Sequence, residues 1–492
     1  MRVLLCCLGL LSPLTVMLLA NNISISNPRL TGRDEGTQTT SILVDVSWDN
    51  SWRVSAAPGN YDAAWIFVKY RLPGGEWEHA RLAAAPAITS GSHTVDVADD
   101  GAGAFVYRAT TGSGSVSFTD VTLPWHYGAT GVDDCTYIEI QAFALEMVYV
   151  PTGAYSLGAS GGAEAYPLLA SNGAGGYTTY TVGTENAITM GTAAGNLTYG
   201  PGSQGNPGDG SGPIPAAFPK GYAGFYCMKY ELTQGEYVAF FNALTPSQQS
   251  ALDVTGPSGK NVDFEQNQND VVWDGTNDAT SGMPAHAINY LTPLQCFAYL
   301  DWAGLRPMTE LEFEKTARGI QAAVTSEYVW STTTIFSNRY SVQNYYATNE
   351  YVINTSTSLG NAAYAGAFHK NKGRTIRPGG MAANPSITFN RQTAGAGYYG
   401  NMELAGNVYE LVVSIGDAQG RSFSGTHGDG LLTTNGEADV VNWPTVTTGY
   451  GIRGGGYTSP SDRLRTSDRF EANYTFTTGS SDIGFRGVHT AD

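Results

Sequence analysis

A chain of 492 residues, 42% apolar and only 14% charged, has room for two or three globular domains and is too apolar to be disordered. Its 26 basic residues against 43 acidic ones leave a formal net charge of −17. That balance argues against nucleic acid or an anionic membrane surface as a partner, since either needs a basic face, and it suits divalent cations.

Met1 to Ala20 reads as a secretory signal: Arg2 gives the positive start, and an apolar run broken by Pro13 ends at a small residue, Ala20. The run is short for a membrane span, and no later stretch reaches spanning length. The expectation is a secreted or cell-surface protein with no span in its mature chain. The cysteines left after cleavage are Cys135, Cys227 and Cys296, an odd count that makes a disulfide framework unexpected. Cys227 and Cys296 lie in apolar patterns and are expected as buried thiols.

From residue 21 to 145 the pattern is one of short strands. Ser41 to Trp48 alternates apolar and polar residues, and Ala64 to Tyr70 does so loosely. Pro73-Gly74-Gly75 forms a turn, and further strands are expected around Phe105–Arg108, Val116–Phe118 and Thr136–Ala144. This spacing points to an immunoglobulin-like antiparallel β-sandwich. His79, His93 and His126 are scattered along it and are expected as surface histidines.

The remainder, 146–492, opens with a turn at Pro151-Thr152-Gly153 and a Gly-rich stretch at 159–223, expected as loops and a hairpin. Three helices carry their own start signals. Thr233 with Glu236, and Thr309 with Glu312, form capping boxes. Thr292 precedes Pro293 at a first helical position, with Gly304 beyond the end. Glu310, Glu312 and Glu314 are expected as caps and surface pairs. Residues 319–399 are irregular.

The densest chemistry lies in Gly400 to Leu411, GNMELAGNVYEL. Oxygen donors at Glu403, Gly406, Val408 and Glu410 suit a hard cation, which takes carboxylate and carbonyl oxygens together. The plainer alternative is a turn opening a buried strand, with Glu410 paired to an arginine. Around it stand MVYVPTGAYSLG at 147–158, FYCMKYELTQGEYVAFF at 225–241, a long block at 283–319 ending LRPMTELEFEKTARG, GIRGGGYTSPSDRLRTSDRF at 451–470, and IGFRGV at 483–488. In this order the blocks closely resemble the formylglycine-generating enzyme, or sulfatase-modifying factor, superfamily.

The resemblance implies an α+β chain whose second part has a loop-rich, C-type-lectin-like fold. It also implies calcium held by the side chains of Glu403 and Glu410 and the carbonyls of Gly406 and Val408. Asn361, in TSLGNAAYAG, would be the ligand of a second cation loop. The family's oxidase chemistry needs two thiolates that hold copper, and soft thiolates suit Cu(I) where hydroxyl and aliphatic groups do not. Here those positions read Ser459 and Leu464, the serine after the RGG block is Gly456, and the loop's two tryptophans are Tyr409 and Leu411. Copper is therefore not expected. A second branch of the family uses iron held by histidines of a helical domain, and this chain shows neither that domain nor a metal-ligand spacing among its histidines.

The resulting expectation is an exported pseudoenzyme, a non-catalytic binding or assembly protein that meets an extracellular protein, a glycan or further copies of itself. One rival is an oxidase-type or other metal-dependent enzyme with altered residues in the same cleft. The other is a lectin-like glycan binder, with Trp302, Tyr398, Tyr399, Tyr409, Trp443 and Tyr457 as candidate stacking residues.

Overall fold

The computed structural model describes residues 22–84, 86–134, 136–367 and 375–491. The expected signal segment and Cys135 lie outside them. Ser24–Asp34, Thr39–Arg53 and Gly112–Trp125 form a three-stranded antiparallel sheet with Thr39–Arg53 in the middle. Its alternation is visible in burial: Thr40, Ile42, Val44, Val46 and Trp48 face inward and the residues between them outward, as the two-residue pleat requires.

A nine-stranded sheet lies beneath it. Its centre is Asp62–Arg71, paired along ten residues with Glu139–Val150. Nine of its ten residues are buried. Ala64, Ile66 and Val68 meet Val44 and Trp48 of the upper sheet. Ala63, Trp65 and Phe67 meet Phe240, Trp302 and Leu305 on the opposite side. A strand covered on both faces reads as a nearly continuous apolar run, which is why its alternation in sequence is loose.

Glu139–Val150 runs across the boundary expected at 145/146. Its last four residues, Met147 to Val150, pair with Phe225–Met228, which pairs with Gly487–Thr490, which pairs in turn with Arg306–Pro307. One sheet therefore extends from Ile88–Ser90 at one edge to Arg306–Pro307 at the other. In the region expected as loops and a hairpin, Leu168–Ser171, Tyr177–Val182 and Leu197–Tyr199 join Tyr155–Leu157 in a four-stranded antiparallel sheet. Leu168, Val182, Leu197 and Ile214 anchor it in the main core.

Among the described residues the four longest helices, all in the larger half, are α1 (Gln234–Asn242), α2 (Pro246–Ala251), α3 (Pro293–Trp302) and α4 (Glu310–Arg318). All four start in capping boxes, including Thr245 with Gln248 on α2, which the sequence reading did not pick out. On α4 Glu312 closes the capping box on Thr309 and Glu314 pairs with Arg318, as expected, but all three acids are buried instead of lying at the surface. Glu310 takes Arg469 at 2.6 Å and Arg453 at 3.1 Å, Glu312 takes Arg306 at 2.7 Å, and Glu314 takes Arg318 at 2.7 Å. Only the Arg318 partner lies on the same helix, so the others escape any local pattern. Among the described residues no helix is long and apolar enough to cross a membrane. A last small sheet positions the site: Tyr409–Val413 runs antiparallel to Tyr450–Arg453 and parallel to Ile483–Gly484.

Candidate functional site

Successive residues of Tyr409–Val413 point to opposite faces. Glu410 is fully buried and accepts from Arg486 Nε at 2.7 Å, the arginine pairing that sequence allowed as the plainer alternative. Arg486 also donates to the carbonyls of Met228, Lys229 and Met402. Two more carboxylates sit close by. Glu231 accepts from Val408 N at 3.1 Å and from Asn407 Nδ2 at 2.5 Å. Glu403, in the left-handed region at φ 50°, accepts from Gly379 N at 2.9 Å on Oε1. Burial pushes the Glu403 carboxyl up to about 7. Burial, then the charges of Glu410 and Glu403, holds Glu231 well above the usual carboxylate range.

The second oxygens of Glu403 and Glu410 are buried without a hydrogen-bond partner. A hard cation would satisfy such acceptors, although Glu231, Glu403 and Glu410 are not among the described clusters whose ligand atoms all lie within 4.8 Å of one another. Gly406 supplies the turn. Its φ is 83°, and a Cβ there would come within 2.3 Å of the Ala363 carbonyl, so only glycine fits. Glu231 was missed by the sequence reading, although it lies in the quoted block FYCMKYELTQ. Asn361 is committed elsewhere: its Oδ1 accepts from Tyr340 Oη at 3.0 Å and Ser356 N at 2.8 Å, and its amide donates to Thr393 O at 2.7 Å. It ties its own loop together.

The other face of the strand meets a cleft of about 510 Å³, lined by Tyr409, Tyr290, Tyr474, Phe476, Glu471 and Asp482 among others. Ser459 lies beneath Tyr409. Its Oγ accepts from Gly456 N at 3.0 Å, and it shares a side-chain hydrogen bond with Tyr409. Neither partner is a base able to activate a serine hydroxyl. Gly456 packs against Asp482, whose carbonyl would lie 2.7 Å from a Cβ at that position. Leu464 is fully buried in a cluster with Phe313, Leu404 and Val412. An aliphatic side chain turned into the core and a hydroxyl bonded to backbone do not fit copper.

Residues 180–491 match the sulfatase-modifying factor enzyme 1-like domain. The chain belongs to this family. No curated protein matches it.

Elsewhere in this sulfatase-modifying factor family member, the two remaining thiols of the described chain, Cys227 and Cys296, are free and buried, as expected. Burial pushes the Cys227 thiol up to about 12, which leaves it unreactive. His79 and His93 are buried, against expectation. His79 Nδ1 accepts from Lys69, a fully buried lysine that also donates to the Trp302 and Gly430 carbonyls. Of the stacking candidates, Trp302, Tyr399, Trp443 and Tyr457 are core residues, and Tyr398 and Tyr409 are half-buried.

Two clusters unite residues distant in sequence: Asp100 with His427 and His489, and Asp301 with Asp429 and Asp439. His427 donates from Nδ1 to Asp100 at 2.9 Å and accepts from Thr490 N at Nε2, so neither nitrogen is left for a metal. Asp301 accepts from the backbone N–H groups of Asp429 and Asp439. Both clusters fasten loops.

Proposed function

We propose that this chain is an exported, non-catalytic binding or assembly protein, in which a sandwich-like N-terminal module and a lectin-like, calcium-stabilised domain present the family's cleft without its chemistry. The observation that carries this reading is Leu464, fully buried at one of the two positions that the resemblance gives to copper thiolates. Restoring a ligand there would take a change of core side chain, not a rotamer. Glu403 and Glu410, each with an orphaned buried oxygen, would hold calcium, whose binding energy adds to folding. The segment Met1 to Ala20 supports export.

The test is to incubate the full chain with copper and a cysteine-containing sulfatase-type peptide, and to follow the peptide by mass spectrometry. An unchanged thiol is expected. Conversion to the aldehyde removes the non-catalytic reading in favour of an oxidase with altered ligands.

A further inference from the structure

The chemistry lining the cleft narrows the class of ligand, an inference that rests on the binding reading above. Tyr409 and Tyr474 supply the accessible aromatic surface, backed by the buried rings of Tyr290 and Phe476, and Glu471 and Asp482 supply carboxylates. Tyr474 keeps 38% of its surface exposed, and its ring lies within 22° of parallel to Phe476 at 6.2 Å. A volume of about 510 Å³ is in the range of small-molecule sites, which pair apolar walls with a few convergent polar groups. None of the lining residues is Lys or Arg, so phosphate, sulfate and carboxylate ligands have no counter-charge there.

The two acids act as acceptors for neutral donors. Asp482 takes the Ser480 hydroxyl at 2.8 Å and the Thr458 hydroxyl on its other oxygen. Glu471 takes the Asn206 amide at 2.9 Å, and burial pushes its carboxyl up. Arg463 acts on Glu471 as a neighbouring positive charge, which weakens the cleft as a trap for cations. Flat aromatic faces beside acceptors already serving hydroxyl and amide groups match the two sides of a sugar ring. Its C–H face packs on the aromatic and its hydroxyls donate at the edge.

We infer that the cleft binds a neutral saccharide, with one ring against Tyr474 and its hydroxyls donated to Glu471 and Asp482.

The experiment titrates the full chain by calorimetry and saturation-transfer NMR. The probes are neutral di- and trisaccharides of glucose, galactose, mannose, xylose and N-acetylglucosamine, a sulfated disaccharide, and a short Arg/Lys-rich peptide. At least one neutral saccharide is expected to bind at about 1 mM or tighter. Tyr474→Ala and Glu471→Gln should each weaken it about ten-fold, with cooperative unfolding retained, since Tyr474 is exposed and Gln keeps an acceptor for the Asn206 amide. Silence from every neutral saccharide, indifference to Tyr474→Ala, or capture of the sulfated sugar or basic peptide instead would overturn the inference. Capture of the peptide would still leave a binding protein, whereas aldehyde formation in the copper assay removes the binding reading itself.

Discussion

Tyr409 and Glu410 are neighbours in one strand, yet they belong to two unlike regions. Behind Glu410 lies a closed, acid-rich interior in which three carboxylates gather around the engaged Arg486 and two oxygens lack partners. In front of Tyr409 lies an open aromatic cleft, with Ser459 bonded to backbone and Leu464 sunk into the core. The interior has kept demanding electrostatics. On the cleft side, Ser459 and Leu464 offer no thiolate for a soft metal. Because a strand sends alternate side chains to opposite faces, the part of a domain that holds loops together and the part that meets a ligand can change independently.

The sharpest way to break this contrast is to disturb each face in turn. Arg486→Met strands Glu410 in the interior and should cost about 3–5 kcal/mol in urea unfolding. Tyr409→Phe removes one hydroxyl facing the cleft and should cost about 1 kcal/mol. Equal costs would mean that the two faces do not differ as described.

Acidity separates them next. Glu403 is raised in the fold from 4.5 to about 7, so the folded state binds its proton more tightly than the unfolded state does. That contribution is present in full below about pH 4.5 and is lost as pH rises through about 7, up to about 3 kcal/mol without a cation. Glu236 and Asp301, raised to about 7 by burial, act with the same sign. The informative comparison is therefore Glu403→Gln, which should flatten the pH dependence of stability relative to the unmodified chain. A matching slope would remove Glu403 from the account.

Calcium gives the third contrast. At one hundred times its dissociation constant it should add about 2.7 kcal/mol of stability, seen as a higher melting temperature that a chelator reverses. Glu403→Gln should lose that gain, and no shift in the unmodified chain would sink the calcium site.

Local signals were legible in the sequence because they are local. The capping boxes at Thr233 and Thr309 join residues three apart, and the glycine turn at Gly406 precedes the strand that Glu410 enters. What stayed hidden was long-range. Glu231 joins Glu410 only after Phe225–Met228 has paired with Glu139–Val150. Asp100, His427 and His489 meet across nearly the whole chain. Glu310 looked exposed because its arginines, Arg453 and Arg469, lie in a late block of the sequence. The boundary at 145/146 was drawn where the motif begins, but the strand there does not end with the change of pattern. It carries apolar residues through because both of its flanks are covered.

The ladder between Asp62–Arg71 and Glu139–Val150 also has a mechanical meaning. Antiparallel hydrogen bonds lie perpendicular to their strands, so tension along those strands loads all ten paired positions in shear and does not unzip them one by one. Since Glu139–Val150 continues directly into pairing with Phe225–Met228, no soft hinge interrupts the path. A pull on the N-terminal strands would reach the half that bears the cleft as if through one stiff plate.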